Sequence, residues 1–414
     1  MSDHAPVEKA HAVPASAAAA NRLQAKAHEL AHAALSLGAT AIRITLRRDQ
    51  VARSERSAAG ILERRRSFRE YEAMVYKGDR LTQICSTDLS SEGVAATMSS
   101  ALKMLDQLPQ ALFLRAAQPQ RLQLPPGPFN ALRLSDPAMA SPKLARCTSR
   151  LQALPSMPAS VEENSSAIAI SDGIQHGGFT HTMVKIRAQV DQRLQRSWTA
   201  RHLSDLPDIE QISANLIEDQ QLLLAPSATV QAEPVSLLVA PVPASQLIDA
   251  LVRTAPSGAL PQRLSVIADP WLPGGIASMP FTEDGRPTRP EPLIQGGQRR
   301  PTLHPGHAPS PGNLRVGLGG RSLARMMAET RSGVVVTGWL TDPRDLVHGP
   351  APLSLVGRKI HNGSPAGPLV GAQLKLSLQA LFTKLVRVGA DPWTLGSARS
   401  PSLAFDPVKV HAAP

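Results

Sequence analysis

The chain has 414 residues, of which 42% are hydrophobic but only 3% aromatic, and its formal net charge is +11 at pH 7. This length exceeds what one hydrophobic core usually supports, so two cores filled by aliphatic side chains are expected. Two cysteines are too few for a disulfide framework or a four-thiolate zinc site, and they favour a reducing compartment. The basic surplus is spread along the chain and aromatic stacking platforms are scarce, which argues against nucleic-acid binding.

The first 107 residues have the pattern of a small α/β domain. Residues 1–20 are rich in Ala, His and Pro, lack the features of a signal peptide, and are expected to be disordered. Hydrophobic spacing then predicts helix, strand, strand and helix, at residues 21–37, 41–46, 70–76 and 91–105. The first domain is therefore assigned to residues 21–107.

The rest of the chain is predicted to be richer in strands. Prolines accumulate over residues 108–160, which predicts a linker or crossover and the domain boundary. A middle region, 161–234, and a C-terminal strand-rich domain, 235–414, follow. Their predicted elements are a hairpin of strands at 166–171 and 182–190, a helix at 208–222, a strand at 236–240, a helix at 244–254, and a late helix at 373–386.

These elements predict a two-domain protein of the α/β (α+β) class. No apolar stretch approaches the roughly 20 residues that a membrane-spanning helix needs. We therefore expect no membrane association and a cytoplasmic location.

One catalytic motif is present in literal form, since His28-Glu29 and His32 match the H-E-x-x-H pattern of zinc proteases. On a helical wheel both histidines lie opposite the apolar stripe, so they are predicted to face solvent, where no wall excludes water. We interpret the motif as a solvated helix face, and a zincin-like protease that uses these residues stays an alternative. A second pair, His304 and His307, lies in a Pro-Gly loop without rigid further ligands.

The C-terminal half carries a series of short motifs in a recognisable order. They include an aspartate-proline pair, a glycine pair, an acidic-glycine run and an asparagine-glycine turn. The motif residues are Asp269, Pro270, Gly274, Gly275, Phe281, Glu283, Asp284, Gly285, Asn313, Gly333, Gly338, Asn362, Gly363 and Gly389. Their order and spacing resemble the TldD/PmbA family, also called modulators of DNA gyrase, most strongly between residues 266 and 403.

The resemblance implies where a zinc site belongs. Catalytic members of the family have an H-E-x-x-x-H helix in the second domain and a late cysteine. The matching helix here, Ser245 to Thr254, contains neither histidine nor glutamate, and the late segment Gly396 to Ser400 contains no cysteine. The chain therefore resembles the zinc-less PmbA/TldE-type subunit. It is expected to have no catalytic residue, no metal ligand and no cofactor of its own, and to be inactive alone.

The family also implies a partner. In it, a zinc-bearing subunit pairs with a zinc-less one, and together they act as a metallopeptidase on unfolded or leader-bearing peptides. This implies a TldD-like partner that holds the zinc, in a heterodimer or larger assembly, and an extended peptide bound along strand edges. The alternative is a nucleic-acid-associated or gyrase-associated regulator, which the basic charge and the family's second name suggest.

Overall fold

The computed structural model describes residues 15–107, 121–125, 129–229, 234–254, 259–282, 285–300, 312–348 and 351–412. Three sheets organise these residues. The first sheet has six strands in the order β3-β2-β1-β4-β5-β6. Its strands are β1 (Ala41–Ser57), β2 (Gly60–Lys77), β3 (Arg80–Ser86), β4 (Ala159–Ser171), β5 (His176–Gln189) and β6 (Gln195–Ala200). Four helices accompany it: α1 (Ala15–Ser36), α2 (Ser91–Gln107), α3 (Leu144–Ala153) and α4 (Ile209–Leu224).

The helices α1, α2 and α3 bury one face of the first sheet. The predicted apolar stripe of α1, which includes Ala27, Leu30 and Ala34, packs with Ile44 and Tyr71 from the long antiparallel β1–β2 hairpin. Further along this hairpin, α3 packs on the same face, and Cys147 and Leu151 join a second cluster there. Because alternate strand residues share a face, one hairpin contributes to both clusters.

The C-terminal half contains the second and third sheets. The second sheet has the order β14-β13-β12-β7-β17-β15, and the third has the order β10-β9-β8-β11-β16. The strands are β7 (Val235–Val239), β8 (Val266–Ala268), β9 (Glu291–Gln295), β10 (Gln298–Arg299), β11 (Leu314–Val316), β12 (Ser332–Trp339), β13 (Leu353–His361), β14 (Ser364–Leu374), β15 (Leu385–Val388), β16 (Ala398–Arg399) and β17 (Leu403–Val408). The helices are α5 (Pro241–Thr254), α6 (Leu323–Ala328) and α7 (Leu378–Phe382).

The largest core of the described residues lies between the second and third sheets, with α5 in the same layer. Leu247 and Leu251 of α5 are completely buried, and they pack with strand residues such as Val336 and Phe405. The helix α6 covers the opposite face of the second sheet through Met326. This layered mixture of sheets and helices confirms the predicted α+β class.

Three features differ from the sequence-based expectations. The expected boundary at 108–160 does not coincide with a break between sheets, because β1 pairs with β4 from Ile44 to Arg56 within one sheet. That segment also contains the regular helix α3. The predicted helix over 373–386 is wrong, since its residues divide among β14, the five-residue α7 and β15. The helix α1 begins at Ala15, inside the segment expected to be disordered.

The described helices include none that is long and apolar enough to cross a membrane.

Candidate functional site

The two segments that resemble the zinc-binding segments of the family lie in contact with each other. Ser245, on α5, accepts a hydrogen bond from the backbone N–H of Ser400 (3.0 Å), and its own hydroxyl donates to Pro241 O (2.9 Å). The Ser400 hydroxyl donates to Pro401 O (2.9 Å), and both serines are buried. The helix and the late segment are thus joined by a hydrogen bond from a backbone N–H to a serine hydroxyl, and the hydroxyls of both serines are already paired.

The chemistry of this junction does not fit a zinc ion. Zinc in proteins takes imidazole, thiolate or carboxylate ligands, and the junction offers serine hydroxyls. The one carboxylate of α5, Asp249, is paired with Arg253 at 3.0 Å. The guanidinium of Arg399, the residue before Ser400, donates to Gly274 O (3.5 Å), and burial lowers its pKa from the usual value. The part of the chain that the structure describes contains no group of three or more His, Cys, Asp or Glu side chains that could hold a metal ion.

The family-motif residues nearest to this junction build a hydrogen-bonded loop around Asn313. Asn313 is fully buried, and its amide nitrogen donates to Asp269 O (2.9 Å) and Ser278 Oγ (2.7 Å), while its oxygen accepts from Ala277 N (2.9 Å). A Cβ atom at Gly275 would overlap this amide, so only glycine fits there. Asparagine supplies both a donor and an acceptor, which explains why this side chain holds both ends of the loop.

The side chain of Arg201, at the end of β6, fastens this loop to the first sheet. Its guanidinium donates to Gly275 O (3.1 Å), Ile276 O (2.5 Å) and Ser278 O (3.3 Å). It is buried without a carboxylate partner among the described residues, and burial lowers its pKa to about 10. These carbonyl oxygens solvate a charge that water no longer reaches. Sequence reasoning missed Arg201, because no local pattern distinguishes it from the other arginines.

The remaining described motif residues have structural roles. Phe281 is buried and stacks edge to face on Phe179 of β5 at 5.1 Å, so Phe281 anchors the chain against the first sheet. Asn362 and Gly363 form the turn between β13 and β14, both with positive φ (47° and 80°). At the other glycine motif positions, either a Cβ atom would meet close neighbours or φ is positive. These positions are Gly274, Gly285, Gly333, Gly338 and Gly389. Pro270 directly follows Asp269 in the chain. Glu283 and Asp284 lie outside the described residues.

The H-E-x-x-H residues lie on α1 over the first sheet. His32 is exposed, and its Nε2 lies 3.1 Å from His28 Nε2. The hydroxyl of Ser171 lies 3.3 Å from His28 Nδ1, and the His176 ring lies 4.7 Å from the His28 ring. Burial, His176 and His32 lower the pKa of His28. Glu29 is exposed and pairs with Lys26 (2.7 Å) instead of facing the histidines, so the geometry offers no general base beside a metal. The other pair, His304 and His307, lies outside the described residues.

The comparisons with known proteins agree with this architecture. Residues 296–412 match the family model described as PmbA/TldA metallopeptidase C-terminal domain. A structure described as a modulator of DNA gyrase from Bacteroides thetaiotaomicron has a TM-score of 0.75 and 18% identity, over 94% of this chain and 98% of that one. No curated protein matches significantly.

Two further solved structures share the fold. A modulator of a DNA gyrase from Thermotoga maritima has a TM-score of 0.67 and 18% identity, and it covers 93% of this chain and 99% of its own. TldE from Thermococcus kodakarensis has a TM-score of 0.66 and 16% identity, with 94% and 100% covered. The chain thus shares its fold with these structures over nearly its whole length, and its residues 296–412 belong to the PmbA/TldA C-terminal domain family.

Proposed function

We propose that this chain is the zinc-less subunit of a TldD/PmbA-type metallopeptidase complex. The observation that carries the proposal is the junction of α5 with the late segment, where the buried Ser245–Ser400 hydrogen bond occupies the place implied for zinc. A subunit without this chemistry contributes surface and geometry to a partner that has it. The partner is then a TldD-like, zinc-bearing subunit, and the pair acts in the cytoplasm on unfolded or leader-bearing peptides.

Zinc content and assembly test this proposal. The chain purified alone should contain no stoichiometric zinc by elemental analysis and should not cleave peptides. Co-expressed with a zinc-bearing relative, it should co-purify with that relative and change its rate of peptide cleavage. Separate elution of the two proteins at micromolar concentration, together with unchanged cleavage, would contradict the proposal. Tight zinc that is lost in the His28→Ala/His32→Ala double variant would instead support the zincin alternative.

One edge of the second sheet is already partly occupied by this chain. Beside β14, the N–H of Ala228 donates to Pro368 O (2.7 Å), and Ser227 Oγ accepts from Val370 N (3.1 Å). An added peptide strand would have to displace these bonds. We therefore expect the peptide to contact this subunit elsewhere.

A second candidate function rests on the exposed half of β2. Residues 60–69 are all exposed, and Arg64, Arg65 and Arg66 lie among them. Such a strand suits a phosphate backbone electrostatically. DNA binding measured by fluorescence anisotropy, with affinity that falls steeply as salt rises and weakens on Arg64→Ser/Arg66→Ser substitution, would favour a nucleic-acid-associated regulator.

A further inference from the structure

A cavity of about 1080 Å³ lies where the first sheet meets the C-terminal half. Its walls come from β5, β6 and α4 on one side, and from the start of α5 and the end of β12 on the other. Ligand sites in proteins typically measure about 300–1,000 Å³ and often lie between domains. The cavity is therefore large enough for a ligand of several residues.

The cavity concentrates the tryptophans of a chain that has few aromatic residues. Of four tryptophans in the sequence, three line this cavity: Trp198, Trp339 and Trp393. The indole N–H of Trp339 donates to Pro243 O (3.0 Å), which fixes one wall. The fourth, Trp271, is 47% exposed and lies elsewhere. Trp198 and Trp339 are only 5% and 6% exposed and pack in the cores, so the partly buried Trp393 is the one that offers a ligand rigid apolar contact area.

The charges of the cavity do not cancel. Its four carboxylates are each paired with one arginine: Asp191 with Arg193, Asp219 with Arg196, Asp342 with Arg344, and Glu218 with Arg358. Lys185 and Arg187 also line the cavity, and neither has an ion pair or hydrogen bond with the described residues. Glu162, opposite Lys185 on β4, forms its ion pair with Arg53 (3.8 Å). The charge of Glu162 also acts on Lys185, but no ion pair or hydrogen bond joins a described carboxylate to either of these two neighbouring cations.

The spacing of these cations indicates the form of an anionic ligand. Lys185 and Arg187 are two residues apart on β5, so their side chains project from the same face of the strand. An extended peptide repeats its side chains with the same period. Acidic residues at alternate positions would therefore meet the two cations in register.

We propose that this cavity binds an extended segment of the peptide substrate that carries acidic residues at alternate positions. The inference rests on the proposed role in a peptide-processing complex and names the part of the substrate that this subunit recognises. Lys185 and Arg187 pair with the two carboxylates, and Trp393, which is only partly buried, contacts the intervening residue. Charge recognition in this cavity would give the complex a preference for acidic peptides, and the zinc-bearing subunit would not need to supply that preference.

Tryptophan fluorescence of the full-length chain provides the test. The probe is a blocked, non-aromatic Glu-Val-Glu peptide, and the comparison probes are the Gln-Val-Gln peptide and citrate. We expect the glutamate peptide to change the emission in a saturable way and the glutamine peptide to bind at least tenfold more weakly. Citrate that binds as tightly as the glutamate peptide, or equal binding of the two peptides, overturns the proposal.

Charge variants localise the signal. Lys185→Gln/Arg187→Gln should weaken binding of the glutamate peptide at least tenfold, whereas the exposed pair Lys375→Gln/Lys409→Gln, with the same change in charge, should leave it within about twofold. The swap Lys185→Arg/Arg187→Lys conserves charge and should retain binding within about threefold. Unchanged affinity in the Lys185→Gln/Arg187→Gln variant refutes the cavity site. Assembly with the zinc-bearing partner is measured separately. If the unmodified chain assembles with that partner but does not bind the glutamate peptide, this inference is refuted and the proposed function is not.

Discussion

Replacing Asn313 with alanine should lower the free energy of unfolding by about 3 kcal/mol. The substitution removes three hydrogen bonds, to Asp269 O, Ser278 Oγ and Ala277 N, and a buried hydrogen bond contributes about 1 kcal/mol net. The N–H of Ala277 would also lose its acceptor, which adds the cost of an unpaired buried donor. A loss of this size is large against the roughly 5–15 kcal/mol by which proteins are stable.

Urea denaturation followed by circular dichroism measures this loss. Gln262→Ala, which truncates an exposed amide, serves as the control and should change stability by less than about 0.5 kcal/mol. The slope with urea concentration should stay the same in both variants, since the surface exposed on unfolding is unchanged. If Asn313→Ala costs less than about 1 kcal/mol, the hydrogen bonds of Asn313 do not hold the loop.

Three other predictions concern single side chains. Gly275→Ala should destabilise the fold by about 1–3 kcal/mol, because its Cβ would overlap the Asn313 amide, whereas Gly320→Ala, with open space around it, should be neutral in the same urea assay. Burial lowers the pKa of His181 to about 3, so below pH 6.5 the unfolded chain binds a proton that the folded chain refuses, and stability falls. His181→Asn should make the loss between pH 6.5 and pH 4 smaller by about 3 kcal/mol, and an unchanged pH profile would contradict this. Burial raises the pKa of Cys147 to about 12 while Cys85 is exposed, so Ellman's reagent should titrate one thiol in the native chain and two in urea.

The sequence predicted elements best where periodicity and end signals agree. The helix predicted at 91–105 is α2 (Ser91–Gln107), and the strand predicted at 236–240 is β7 (Val235–Val239). The hairpin β1–β2 is much longer than predicted, because its distal residues are polar and basic and show no alternation. In the distal part of β2, where residues 60–69 are all exposed, the strand pairing and not the burial of side chains defines the structure.

The wrong late helix has a physical explanation. Leu374, Leu378, Leu381 and Leu385 recur at helical spacing, and all four are buried. Leu374, however, ends a strand, and Ser377 then caps a short helix by accepting from Ala380 N. The sequence correctly predicted that these four leucines are buried. Their helical spacing, however, arises from three successive elements that enter one core. The cavity and the partners of Arg201 join residues far apart in the chain, and local patterns carry no signal for such contacts.

The position of Arg201 has a consequence for how the molecule unfolds. A fragment that contains only residues 234–412 would expose the carbonyl oxygens of Gly275, Ile276 and Ser278, and a fragment 15–229 would keep a guanidinium that has lost these three acceptors and retains Thr182 O. Each half would therefore be less stable than its own core suggests. The chain should melt in one cooperative transition, and its C-terminal half should not be recoverable as an independently folding module, although it carries the family's domain by sequence.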